Sequence, residues 1–123
     1  MIGSVASVVL DTRDPRGLAT FYQQLLGGEL SEESGADDDW VELDCGMAAT
    51  KLAFQLSPHH SPPTFPDEYG SQQFHLDVLV ESLDTGEADV LRIGGRKVAG
   101  QDHDHFRVFL DPAGHPFCLV DET

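Results

Sequence analysis

Apolar and polar positions alternate along "SVASVVLD" from Ser4, the period of a half-buried strand. The next stretch, "DPRGLATFYQQLLGG", changes period. Leu18, Phe21, Tyr22, Leu25 and Leu26 fall at i, i+3, i+4, i+7 and i+8, one buried face of a helix. Asp14 suits its N-cap, Pro15 its first position and Gly27 its stop. Three strand patterns follow: a short one near Glu29–Ser31, then "DWVELD", then "TKLAFQL". The same order then recurs. "FHLDVLV" alternates, and "SLDTGEADVLRIGG" reads as a helix capped by Ser82 or Asp84 with a thinner apolar face of Leu83, Val90 and Ile93. "RKVAG", "HFRVFLD" and "HPFCLV" supply three more strands. Cap and stop are 13 positions apart in both halves, Asp14 to Gly27 and Ser82 to Gly95. The fold class expected is α+β, built of two tandem βαβββ modules. Module 1 spans about 1–57, a linker 58–72 and module 2 about 73–123. The linker holds four prolines and is too stiff and polar for an element of its own. Within it, His59 and His60 read as a solvated pair, and Phe65 and Tyr69 as the aromatics able to close over a pocket.

Strand alternation also sorts candidate site residues. With Val8 and Leu10 facing the core, the other face carries Ser7, Trp40, Glu42, Lys51, Ala53, Gln55, His75, Asp77, Arg107, Phe109 and Cys118. The opposite set includes Val41, Leu43, Leu52, Phe54, Leu76, Val78, Val108, Leu110, Phe117 and Leu119, and is placed beneath the helices. A face mixing polar and aromatic groups is what a small-molecule pocket needs. Ser7, Trp40, Glu42, Lys51, Gln55, His75, Arg107, Phe109 and Cys118 are therefore the candidate ligand pocket. His75, with Asp77 two residues on, is the candidate acid/base pair, unless it is simply a hydrogen-bonded core histidine. Lys51 and Arg107 either meet an anionic group or pair with Glu42, Asp77 or Asp11, and pairing is the reading favoured because unpaired buried charge is costly.

Charge narrows the partners. Seven basic against 22 acidic residues give a net charge of −15, which excludes a phosphate-tracking surface and disfavours anionic membranes. Cys45 and Cys118 are scattered and lie in no CxxC, and the N-terminal apolar run is broken at Asp11, so a cytoplasmic protein with free thiols is expected. His103, His105 and His115 lie in or beside turns and read as turn residues, not a metal cluster.

Three segments, "VVLDTRDPRGLATFYQQLLGGEL", "QQFHLDVLVESLD" and "FRVFLDPAGHPFCLV", resemble the glyoxalase/bleomycin resistance protein/dioxygenase group, the vicinal oxygen chelate superfamily. The resemblance implies sheets curled into cups, a homodimer and, in metal-dependent members, four ligands at positions that here are Ser7, Gln55, His75 and Cys118. That set holds one imidazole, an amide, a hydroxyl and a thiol, poor company for a hard divalent ion. A Cys–His pair completed by Glu42 or Asp77 would suit zinc. No metal cofactor is expected, and the reading favoured is a metal-free binder of a small organic molecule. A metal-dependent lyase, isomerase or dioxygenase is the alternative, and a metal-free enzyme using His75 and Asp77 a third.

Overall fold

A computed structural model describes residues 1–31, 39–63, 74–101 and 103–121. Phe65 and Tyr69 lie outside the described residues. The chain divides into two compact units, Met1–His60 and Ser61–Thr123. Among the described residues, each contains one four-stranded mixed sheet and one helix. Among the described residues no helix is long and apolar enough to cross a membrane.

The first unit runs β1 (Ser7–Thr12), α1 (Pro15–Leu26), β2 (Glu29–Leu30), β3 (Trp40–Met47) and β4 (Thr50–Leu56), with strand order β1-β4-β3-β2. Asp14 caps α1 as its pattern predicts: the carboxylate accepts from the Gly17 N–H at 3.1 Å, satisfying one donor that the helix start leaves open. Leu18, Phe21 and Tyr22 are buried on the sheet, where Tyr22 stacks on Phe54 with ring centroids 5.6 Å apart. Burying side chains of this size contributes roughly 1.5–3 kcal/mol each. β1 is parallel to β4 with Ser7 opposite Lys51, Val9 opposite Ala53 and Asp11 opposite Gln55. β3 is antiparallel to β4 with Trp40 opposite Gln55 and Glu42 opposite Ala53. Opposed residues share a face, so Ser7, Trp40, Glu42, Lys51 and Gln55 all lie on the open face, turned away from α1.

The second unit repeats the plan with β5 (Leu76–Leu79), α2 (Leu83–Arg92), β6 (Arg96–Lys97), β7 (Phe106–Leu110) and β8 (Pro116–Val120), in order β5-β8-β7-β6. Ser82, not Asp84, is the cap of α2, accepting from Thr85 N–H at 3.3 Å. Gly86 brings α2 down onto the sheet, since a Cβ there would press on Leu119. Here the register corrects the sequence reading. Val108 pairs with Cys118, Phe109 with Phe117 and Arg107 with Leu119. Arg107 and Phe109 therefore share the helix face with Phe117 and Leu119, and Val108 and Leu110 share the open face with Cys118. Phe109 is fully buried, its ring stacked on Phe117 at 5.8 Å. Alternation alone missed this because both faces of β7 and β8 are largely apolar.

The turn between β7 and β8 fixes that register. Asp111 is fully buried, and its Oδ1 accepts from the backbone N–H groups of Ala113 (2.8 Å) and His115 (3.0 Å). Removing the carboxylate would leave those donors without that acceptor in a dry site, a loss of about 1–3 kcal/mol. Asp111→Ala is expected to lower the unfolding free energy, and with it the urea midpoint, accordingly, while Asp104→Ala, on an exposed residue, changes that free energy by no more than about 0.5 kcal/mol. Equal midpoints for the two variants would count against this role.

Candidate functional site

On the open face of the second sheet, parallel pairing sets Asp77 directly beside Cys118. His75 immediately precedes β5, two residues before Asp77 and so on the same face. His75 Nε2 lies 3.3 Å from Asp77 Oδ1, and one donor atom from each of His75, Asp77 and Cys118 lies within 4.8 Å of the others. The thiol is buried whereas His75 and Asp77 are exposed, so the group opens outward from a covered base. Burial, and then the negative charge and hydrogen bonding of Asp77, push the Cys118 thiol up to about 11. At neutral pH it is a protonated donor toward Asp77 and a poor nucleophile.

The open face of the first sheet carries a recess of about 180 Å³ lined by Glu29, Leu30, Ser31, Glu42, Asp44 and Lys51. Glu42 also accepts from the Trp40 indole N–H at 3.2 Å, which fixes the ring beside it. Glu42 and Lys51 belong to the pocket read from the sequence. Glu29 and Asp44 do not, because their proximity follows from the β2–β3 register that sets them opposite each other.

Arg107 leaves the candidate pocket for a structural role. Its guanidinium meets Asp84 at 2.7 Å and Glu87 at 3.2 Å on α2, and Lys97 joins Glu87 at 2.9 Å. The hydrogen bond from Lys97, aided by both cations, holds the Glu87 carboxyl below its ordinary range. These pairs tie α2 to β6 and β7. Arg107 is indeed ion-paired, but its partners are not those expected from the sequence. His103 stacks on Phe106 with ring centroids 4.1 Å apart, His105 Nδ1 lies 3.4 Å from Asp121, and the backbone N–H of His115 donates to Asp111 in the β7–β8 turn.

Two βαβββ modules in tandem, each with one helix over one face of its sheet, define a glyoxalase-like α+β protein. A family model described as a glyoxalase-like domain matches residues 7–120. The chain belongs to that family, within the vicinal oxygen chelate superfamily. No curated protein matches it. Among solved structures it is similar to a glyoxalase/bleomycin resistance protein/dioxygenase family enzyme from Burkholderia phytofirmans PsJN, at 18% identity over 98% of this chain and 100% of that one, TM-score 0.72. It is similar also to FosX, a fosfomycin resistance protein from Listeria monocytogenes (15% identity, 100% and 96% covered, TM-score 0.70). A third is TnmS3, an antibiotic binding protein from Streptomyces sp. CB03234 (18% identity, 99% and 98% covered, TM-score 0.64). At these identities the likeness establishes the fold.

The superfamily implies a divalent metal, and the residues at the implied positions do not suit a hard one. Ser7 and Gln55 share a face, yet the β1–β4 register sets them four positions apart, about 13 Å along the ladder. Ser7 and His75 each stand seven residues before their helix cap. By that correspondence Val9 answers to Asp77, and its β4 partner Ala53 holds the place that Cys118 holds on β8. Ala53 offers no donor.

The raised Cys118 pKa makes a signed prediction. Its ordinary value is 9.0, so between that and about 11 the unfolded chain releases a proton that the folded chain keeps. The stabilisation is complete below the lower value and is lost as pH rises through the window. Chelator-treated protein is expected to lose melting temperature across that range more steeply than Cys118→Ala. Parallel melting curves would contradict the assignment.

Proposed function

We propose that the protein binds a small polar organic molecule bearing a cationic group on its open sheet faces, without a hard divalent cation. The observation that carries this reading is the recess on the first sheet, where Glu29, Glu42 and Asp44 outnumber the single ammonium of Lys51. Glu29, Asp44 and Lys51 are exposed and Glu42 half-buried, so the carboxylates are accessible to a cationic ligand, and the net charge of −15 would draw it in. At about 180 Å³ the recess is smaller than the ~300–1,000 Å³ of drug-sized sites, so it suits a small molecule or one group of a larger one. The antibiotic binding protein among similar folds supports a binding role. His75, Asp77 and Cys118 offer polar anchors on the second sheet's open face. A cytoplasmic homodimer belongs to the same reading.

A second reading, a metal-assisted lyase, isomerase or dioxygenase, is favoured by one observation, the convergence of His75, Asp77 and Cys118. It requires turnover that stops on chelation and returns with the metal.

A thermal-shift screen of small amines, quaternary ammonium compounds and aromatic cations tests the first reading. A ligand at a hundredfold excess over its Kd stabilises by about 2.7 kcal/mol, a rise in Tm on the order of 10 °C for a chain of this size. Glu42→Gln with Asp44→Asn is expected to remove most of that rise. A screen in which no cation moves Tm, or a shift indifferent to both substitutions, would sink the proposal.

A further inference from the structure

We propose that the recess on the first sheet takes an amino carboxylate, a molecule with one carboxylate and two cationic groups, as in a basic α-amino acid. The inference rests on the cation-binding reading above and narrows it to a ligand class. Lys51 carries it. The sequence predicts that its ammonium pairs with Glu42, Asp77 or Asp11, yet among the described residues it takes part in no ion pair. It is exposed and lines the recess together with Glu29, Glu42 and Asp44. A recess built for a plain amine gains nothing from an ammonium in its wall, because like charges repel. An ammonium with no protein partner is instead an anchor for a carboxylate that the ligand brings.

The register sets these charges in a row. Glu29 on β2 pairs with Asp44 on β3. Leu43 pairs with Leu52, so Asp44 and Lys51, the next residues on β3 and β4, stand beside each other where the ladder begins to shift. Read across the three strands, the row is carboxylate, carboxylate, ammonium, with neighbours about 4.8 Å apart. Glu42 lies two residues from Asp44 on the same face, about 7 Å along β3. An α-amino acid carries its carboxylate and ammonium on one carbon, which suits partners one strand apart, Lys51 and Asp44. A second cation further along the molecule then meets Glu29 or Glu42. Charge points the same way. The recess holds two negative charges in excess, which a ligand with no net charge would leave uncompensated and one with a spare cation reduces. Its walls are held in place. The Trp40 indole N–H donates to Glu42 at 3.2 Å, and the Gly46 N–H to Asp44 at 3.3 Å. Ser31 N–H reaches the Glu42 carbonyl at 2.9 Å. Gly28 has a φ of 98° and lies so close to β3 that a Cβ there would strike the Asp44 carbonyl.

Calorimetric titration of the full-length protein with two matched probes tests the inference: L-lysine, and cadaverine, which is lysine without its carboxylate. Lysine is expected to bind about tenfold more tightly than cadaverine, the worth of one charge-assisted contact. Lys51→Gln, at an exposed strand position, is expected to remove that advantage and to leave cadaverine bound as well as before or better. Retained cadaverine binding also shows that the variant is folded. Glu42→Gln with Asp44→Asn is expected to weaken both probes. Lysine no tighter than cadaverine, or a Lys51→Gln loss equal for the two, would overturn the proposal. If cadaverine still binds and loses its affinity in Glu42→Gln with Asp44→Asn, that failure spares the cation-binding reading. Binding of neither probe counts against both.

Discussion

The second module depends on the register of β8. That strand lies between β5 and β7, parallel to one and antiparallel to the other. Because side chains alternate, a slip of one residue would exchange every group between its two faces. In the observed register Phe117 and Leu119 face α2 with Phe109, and Cys118 faces away with Asp77 beside it. Asp111 protects that register from the hairpin end. Its buried carboxylate ties down the backbone of Ala113 and His115, so the turn closes at a fixed length. The core and the candidate site are therefore two consequences of one alignment, enforced at one side by apolar burial and at the other by a polar turn.

This constraint explains what could be read from the sequence. Helix α1 was legible in full, because its cap, its first-turn proline and its apolar stripe agree with one another. In the first sheet Val41, Leu43, Leu52 and Phe54 alternate with Glu42, Lys51 and Gln55, a contrast strong enough to assign both faces. Module repetition was legible through the equal cap-to-stop spacing. The β7–β8 hairpin was not legible, because "RVFL" and "PFCLV" present apolar groups to both sides and leave the parity open. Only the turn length decides it. Arg107 was misplaced for that reason, and its true partners, Asp84 and Glu87, are spaced i, i+3 on α2, a pairing that becomes visible only once the helix lies over the strand. Glu29 and Asp44 were missed similarly, since a two-residue strand carries no periodicity.

The two modules share a backbone plan and differ in what they place on it. Seven residues before the helix cap stands Ser7 in one and His75 in the other. Two residues on stand Val9 and Asp77, and opposite them Ala53 and Cys118. The same three places thus hold a hydroxyl and two hydrocarbon groups in the first module, and imidazole, carboxylate and thiol in the second. The first module instead gathers its carboxylates further along the sheet, near β2 and β3, around one lysine.

That difference bears on chemistry more than on fold, because this architecture hosts unrelated reactions and only the site can argue for one. Carboxylates around an accessible recess attract a cation by charge, and they discriminate little among cations of suitable size. A thiol set into the floor of a strand ladder discriminates sharply, since sulfur rewards a borderline-soft metal and gives a hard one almost nothing. In the second module that discrimination stays unused while the thiol keeps its proton: burial, and then Asp77 beside it as charge and acceptor, hold Cys118 protonated and unreactive at neutral pH. The strand register that sets Asp77 beside Cys118 is therefore what makes the group a quiet hydrogen-bonded one.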